Sequence, residues 1–288
     1  MIEIDGNYEE GGGAIVRQAM ALSTVTKKEV SITNIRKGRC IPGLKEQHLQ
    51  CIKAFELISN SKTERAKLGS EHIIFTPGKI KSGTYNINIR TAGSITLLLQ
   101  SLLLPIIHSK EKITLNIIGG TDVKWSQPWD YFENVLLPCL KPLANISVNL
   151  EKRGFFPKGQ GKVNITIKGK ENPGKIELIK RGKLLGITAT IFSSTELKKA
   201  KVCERMKDEF LKLFPDAKVI IDYSNTLSIN CGITALAKYE NITLGADSLG
   251  EVGKKAELVA FDCANKLKKE IEQVGVTDQH LVDQLIPF

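Results

Sequence analysis

The stretch YNINIRTAGSITLLLQSLLLP, Tyr85 to Pro105, carries the pattern on which the fold reading turns. Tyr85 to Ile89 alternates apolar and polar residues, as a half-buried strand does. Thr91-Ala92-Gly93-Ser94 is a turn of small residues, and Ile95 to Pro105 reads as an apolar helix. The same order stands at the start of the chain. Ile2 to Asp5 reads as a strand, Glu10-Gly11-Gly12-Gly13 as a turn, and Ala14 to Ser23 as a helix. Outward from the first copy come a strand at Glu29 to Ile35, a loop from Arg36 to Gly43 and a helix from Leu44 to Ser59. Leu49, Ile52, Ala54, Leu57 and Ile58 fall at its core positions. Short strands near Lys67-Leu68 and at His72 to Thr76 close that copy. The second continues with a strand at Ile113 to Ile118, a turn at Gly119 to Asp122 and a helix from Trp129 to Leu143, closing with strands at Ile146 to Leu150 and Lys162 to Ile167. Strand, turn, helix, strand, loop and helix thus occur twice in the first ~150 residues, which predicts an internal structural repeat.

From Ile176 to Glu272 the pattern changes. Strands are expected at Leu184 to Phe192 and Lys218 to Asp222, with a Lys-rich amphipathic helix from Leu197 to Phe214 between them. A further helix from Lys254 to Val274 presents Ala256, Val259, Ala260, Cys263, Leu267 and Ile271 at helical spacing. This segment is a candidate second domain. Asp278 to Phe288 reads as the start of a helix that stops inside an apolar turn.

Composition bounds the function. The 288 residues are 42% apolar and 25% charged, which excludes a disordered, collagen-like or coiled-coil chain. Lys plus Arg is 41 against 31 Asp plus Glu, a formal charge of +10 that favours an anionic partner. The longest apolar run, Leu97 to Ile107, is broken by Gln100, Ser101 and Pro105, well short of the ~20 residues that span a bilayer. With an acidic N-terminus in place of a signal peptide, a cytoplasmic protein with no membrane partner is expected. Six scattered cysteines form no CxxC, four histidines do not cluster, and neither HExxH nor a Walker A sequence is present.

Four segments have the composition of ligand loops where strands meet helices, and a fifth segment joins them. In Asp5 to Arg17, three consecutive glycines permit close backbone approach and expose N–H groups at a helix start, while Glu10 suits a hard cation. In Arg36 to His48, Arg36 and Arg39 fit bidentate phosphate contact. Arg90 to Ser94 is again a small-residue helix start, and it leads to Gln100, a polar amide among leucines that needs a partner. Gly119 to Asp130 brings Trp125, Pro128 and Trp129, whose flat faces suit either core packing or a stacked base. Arg153 to Lys162 mixes basic, aromatic and glycine residues, as an RNA-binding surface or a basic-rimmed hairpin would. Together these describe a basic phosphate-binding site, in a nucleotide enzyme or a nucleic-acid binder.

In order, DGNYEEGGGAIVR (Asp5–Arg17), NIRKGRCIPGLKEQH (Asn34–His48), TAGSITLLLQ (Thr91–Gln100), GGTDVKWSQPWDY (Gly119–Tyr131), RGFFPKGQG (Arg153–Gly161), LGADSLGEVGKKAE (Leu244–Glu257) and HLVDQLIP (His280–Pro287) resemble the RNA 3′-terminal phosphate cyclase family. The resemblance implies a two-layer α+β fold: three repeated units, each a four-stranded sheet backed by two helices, with a smaller α/β domain inserted in the third. On this chain that places the repeated part at 1–175 and 275–288, with its third repeat truncated, and the insert at 176–274. It implies a ligase that uses ATP to turn an RNA 3′-phosphate into a 2′,3′-cyclic phosphodiester through histidine-AMP and RNA-adenylate intermediates.

By the same resemblance Glu10 binds a divalent metal, Mg2+ or Mn2+, near the triphosphate. Arg17, Arg36, Arg39 and Gln47 hold phosphates of ATP or of the RNA end. Gln100 contacts the adenine side, Pro128 packs on one face of the base, and His280, Leu281, Val282, Asp283 and Gln284 line the other side, with Asp283 on the ribose. ATP and RNA 3′-phosphate ends are the implied partners; no protein partner is implied. The chain departs from the family pattern at Ala14, where glutamine is usual, at His280, where tyrosine is frequent, and at Gln160, in place of a glycine. The nucleophilic histidine is expected after Phe288. Two other readings are a non-catalytic RNA-binding relative of the family used in ribosome assembly, and an enolpyruvyl transferase, which shares similar units but explains neither the RGF nor the DQL segment.

Overall fold

The computed structural model describes residues 1–9 and 11–288. It is a mixed α/β structure with three four-stranded sheets and eight helices among the described residues. The first unit runs β1 (Ile2–Asp5), α1 (Gly13–Thr26), β2 (Val30–Thr33), α2 (Glu46–Ser59), β3 (Lys62–Glu64) and β4 (Ile73–Thr76). Its sheet has the order β1-β2-β4-β3, parallel between β1 and β2 and antiparallel beyond.

The second unit runs β5 (Gly83–Asn88), α3 (Ile95–Ser109), β6 (Lys112–Gly119), a helical segment over 129–139, β7 (Ala144–Lys152) and β8 (Gly161–Gly169). The helical segment is α4 (Trp129–Tyr131), a π-turn (Phe132–Leu136) and α5 (Leu137–Cys139). The sheet order is β5-β6-β8-β7, with the same parallel pair and the same two antiparallel pairs. The connectivity of the two units is therefore identical, as the repeated sequence pattern predicts.

Alternation explains the sheets. β6 buries Ile113, Leu115 and Ile117 and turns Thr114 and Asn116 to the other face. On that face Asn86, Asn116, Asn164 and Asn149 stand side by side across all four strands. α3 is apolar nearly all round because it packs against α1, α2, β6 and β8 at once.

The third sheet has a different plan. β9 (Leu184–Ser194) leads through a 3-10 turn (Thr195–Ala200) to α6 (Val202–Leu213), β10 (Lys218–Ser224), β11 (Cys231–Tyr239), β12 (Thr243–Leu249) and α7 (Ala256–Glu272). The order is β10-β9-β11-β12, with β9 and β10 parallel. A short helix, α8 (Gln279–Leu285), follows. One continuous core of buried apolar side chains joins all three sheets.

Several local expectations change. The Leu197–Phe214 helix is split, because Lys201 sits at φ 49° between the 3-10 turn and α6. The strand expected at Lys67-Leu68 lies instead at Lys62–Glu64. The helix expected to reach Leu143 ends at Cys139 and takes a π-turn on the way. Leu57 is exposed, and Phe55, one position off the expected stripe, fills the core. Strands β11 and β12 have no counterpart in the sequence reading. β11 is central and almost wholly buried, so its residues do not alternate, and Ala and Gly in both strands weaken the β signal.

Candidate nucleotide and phosphate site

The ligand loops of the sequence reading meet in one hydrogen-bonded line. At one end Gly6 N–H donates to the Thr33 carbonyl at 2.7 Å, and Gly38 N–H donates to Asn7 Oδ1 at 2.6 Å. A Cβ on Gly6 would lie 2.9 Å from both Ile35 Cα and Thr33 O, so only glycine lets these loops touch. α1 then opens on Gly12, which has no side chain to cap the first turn. His48 lies across that turn: a Cβ on Gly13 would stand 2.0 Å from its Nε2. His48 Nδ1 accepts from Lys45 N–H at 3.0 Å. Burial, reinforced by the charges of Arg17, Arg36 and Lys45, pushes its pKa down to about 3, so the ring is neutral.

The line continues through Gln47, whose amide exchanges two hydrogen bonds with the Ser94 backbone, at 2.6 and 3.1 Å. Ser94 Oγ caps α3 by accepting from Leu97 N–H at 3.1 Å. Thr96 Oγ1 donates to the Gln127 carbonyl, and Gln100 Nε2 donates to Gln127 Oε1 at 3.1 Å. The partner required by the amide of Gln100 is thus another side-chain amide.

At the far end Arg153 is buried. Its guanidinium donates to Asp130 Oδ2 at 2.8 Å, Asp122 Oδ2 at 3.2 Å and Asp222 Oδ2 at 2.7 Å, and lies 4.4 Å over the Phe192 ring. Burial alone would lower its pKa, but Asp122 and Asp130 raise it further and keep it charged. Asp122 also accepts from Trp129 N–H. Arg153 is therefore an internal tie between the second unit and β10, not part of an exposed RNA-binding surface.

α8 is positioned by Asp278, which is fully buried. Its Oδ1 accepts from His280 N–H, Leu281 N–H and the Tyr131 hydroxyl, the last at 2.6 Å, and its Oδ2 accepts from Gly245 N–H at 3.0 Å.

Between α1, α3, the 125–127 loop and α8 lies a cleft of about 660 Å3, a size usual for small-molecule sites. Arg17, Gln100, His280, Asp283 and Gln284 all line it. Arg17 is half-buried, burial lowers its pKa, and no carboxylate pairs with it among the described residues. Gln284 Nε2 donates to the His280 carbonyl, while its buried Oε1 has no partner. Desolvation raises the Asp247 carboxyl, opposed by the nearby charges of Lys266 and His280.

Other expected site residues stand elsewhere. Leu281 is buried in the core, Val282 is half exposed and absent from the cleft wall, and Pro128 is buried beside Gln127 at the start of α4. Arg36 donates to the Ile41 and Gly43 carbonyls at 3.0 and 3.1 Å and shapes its own loop, on which Arg39 is exposed. Gln47 lines a neighbouring groove. Glu10 lies outside the described residues, and among the described residues no three His, Cys, Asp or Glu side chains are placed to hold a metal. Gln127, Asp247 and Lys266 were not singled out from the sequence. Gln127 and Asp247 fall inside quoted motifs, but only the fold brings β12 and α7 to this cleft.

Such a cleft offers amides to a base, carboxylates to sugar hydroxyls and a guanidinium to phosphate. No helix of the described residues is long and apolar enough to cross a membrane. The family model described as RNA 3′-terminal phosphate cyclase matches residues 8–288. The RNA 3′-terminal phosphate cyclase of Archaeoglobus fulgidus is 39% identical over 297 residues, covering 100% of this chain and 87% of that protein. The cyclases of Pyrococcus abyssi and Methanosarcina mazei are 38% and 37% identical, each over 100% of this chain and over 85% and 87% of their own lengths. The chain belongs to the RNA 3′-terminal phosphate cyclase family.

Proposed function

We propose that this protein is an RNA 3′-phosphate cyclase that uses ATP to convert the terminal 3′-phosphate of an RNA into a 2′,3′-cyclic phosphodiester. The observation that carries the reading is Arg17: a half-buried cation without a carboxylate partner among the described residues, facing a cleft whose other walls bear Gln100, Asp283 and Gln284. A triphosphate satisfies it. The amides of Gln100 and Gln284 suit an adenine edge, and Asp283 suits the ribose hydroxyls. Pro128 and Leu281 are assigned to the base by family resemblance and act from behind the wall, through Gln127 and through the seating of α8.

In the proposed reaction a histidine nitrogen attacks the α-phosphorus of ATP, and pyrophosphate leaves. An oxygen of the RNA 3′-phosphate then displaces the histidine and takes up AMP. The neighbouring 2′-hydroxyl attacks the 3′-phosphorus, loses its proton and expels AMP. Activation makes a poor electrophile reactive, and covalent transfer divides one hard step into easier ones. Glu10 and phosphate oxygens would hold a divalent metal, which when bound neutralises charge on the leaving pyrophosphate. Arg17, Arg39 and Gln47 would orient the phosphates.

The domain division at 176–274 belongs to the same proposal and is supported by the distinct connectivity of the third sheet. So does a cytoplasmic location. The test has two arms. Labelled ATP should bind the 288-residue chain, and Gln100→Ala or Asp283→Ala should weaken binding at least about tenfold, the loss of one good buried hydrogen bond to ligand. A chain that carries the nucleophilic histidine should form an acid-labile AMP adduct that 3′-phosphorylated RNA discharges. Absence of both binding and adduct overturns the reading. RNA binding without any ATP binding favours the ribosome-assembly alternative.

A further inference from the structure

At the tip of the 119–128 loop the Trp125 side chain is 94% exposed. Its backbone stands at φ 59°, the left-handed region that a bulky side chain rarely adopts. A loop that only had to turn would place glycine or asparagine there. The loop is nonetheless well held: Ser126 Oγ donates to the Val123 carbonyl at 2.9 Å, Thr96 Oγ1 to the Gln127 carbonyl at 2.8 Å, and Lys124 pairs with Glu251 at 3.0 Å. The indole is displayed to solvent by a fixed support.

It also stands on a boundary. On one side is the cleft of Arg17 and Gln100; on the other is a groove of about 1130 Å3. Its lining includes Gln47, Ser94, Trp125, Phe156, Arg205 and Lys255. Its walls are mainly apolar, and Phe156 is 70% exposed. Two exposed aromatic faces in one groove suit nucleobases, which stack without regard to sequence. The basic surplus of the chain, +10, favours a polyanion over a peptide. Of the rim cations Arg205 is paired with Glu257, whereas Lys255 has no carboxylate partner among the described residues.

We propose that Trp125 is the stacking platform for the base at the RNA 3′ end, and that the groove beyond it is the path of the single strand. This rests on the proposed function. If the nucleotide occupies the cleft, the RNA phosphate approaches it along the groove, and the bases behind it pass Trp125, which lines both.

The experiment uses the protein's own tryptophans. Trp129 is fully buried, so fluorescence quenching on titration with a 3′-phosphorylated oligoribonucleotide reads Trp125. Quenching should be saturable. Trp125→Ala should weaken RNA binding, measured by anisotropy of a labelled oligonucleotide, by about tenfold or more, with ATP affinity changed less than about twofold. Trp125→Phe should recover most of the loss, and Phe156→Ala should reproduce part of it. RNA affinity unchanged in Trp125→Ala overturns the proposal, as does an equal loss of ATP affinity, which would put the indole in the nucleotide cleft. Wild-type protein that binds ATP and RNA while Trp125→Ala also binds both normally sinks the stacking alone. Wild-type protein that binds neither sinks the functional reading beneath it.

Discussion

The first and second units share one connectivity and differ in how they begin their helices. α1 opens on Gly12 with no side-chain cap, whereas α3 opens on Ser94, whose hydroxyl takes up the Leu97 N–H. A helix start always presents N–H groups in need of an acceptor. The second unit answers that need from its own sequence, and the first withholds an answer beside Arg17, which has no carboxylate partner among the described residues. A second contrast follows the same division. The loop before α2 is packed by a neutral histidine, while the loop before α4 is clamped by a charged Arg153 among three carboxylates. Duplicated topology thus carries divided labour: one copy is left receptive to an anion and the other is locked.

The largest way to break that contrast is to unlock the second copy. Arg153→Ala leaves Asp122 buried without its cation and should cost roughly 3–5 kcal/mol, read as a lowered midpoint in urea. The first copy should fail instead to acid. His48 has a folded pKa of about 3 against 6.5 when free, so the unfolded chain takes up the proton first. Its contribution is complete above pH 6.5 and is lost as pH falls toward 3, amounting to about 3 kcal/mol by pH 4.5. Urea midpoints against pH should show this slope, and His48→Asn should flatten it. A smaller effect is expected from Gly13→Ala, whose Cβ collides with the His48 ring; about 1–3 kcal/mol of stability should be lost together with ATP binding, checked by calorimetry. The finest test exchanges the caps. Ser94→Ala should cost about 1 kcal/mol, and Gly12→Ser should gain about half of that while weakening ATP, because the helix start then satisfies itself. Equal nucleotide affinity in Gly12→Ser breaks the comparison.

Much of this is legible in the sequence alone. Ile113, Leu115 and Ile117 alternate and are buried in that phase, and the stripe from Ala256 to Leu267 is buried as its spacing requires. Such signals are local, set by one element against one neighbour. What escaped was set at a distance. The two strands that complete the third sheet carry alanine and glycine where their neighbours leave no room, so they lack the usual bulky signature. Arg153 reads as a surface cation until three carboxylates, from the loop after β6, from α4 and from β10, are seen around it. The cleft shows the same limit. Arg17, Gln100, Asp283 and Gln284 were expected by resemblance, and the fold places all four on one wall system. Asp247 and Lys266 join them from the third sheet and its helix, which no spacing along the chain announces.

Asp278 has one more consequence. Four donors from three separate stretches of backbone and side chain end on its two oxygens, so the helix bearing Asp283 and Gln284 hangs from a single carboxylate. An amide in its place has one accepting oxygen where two are needed, and either the Tyr131 side or the β12 side must let go. That wall of the cleft is then free to tilt without any cleft-facing atom having been touched. Damage to recognition can therefore originate in a residue that no substrate ever meets.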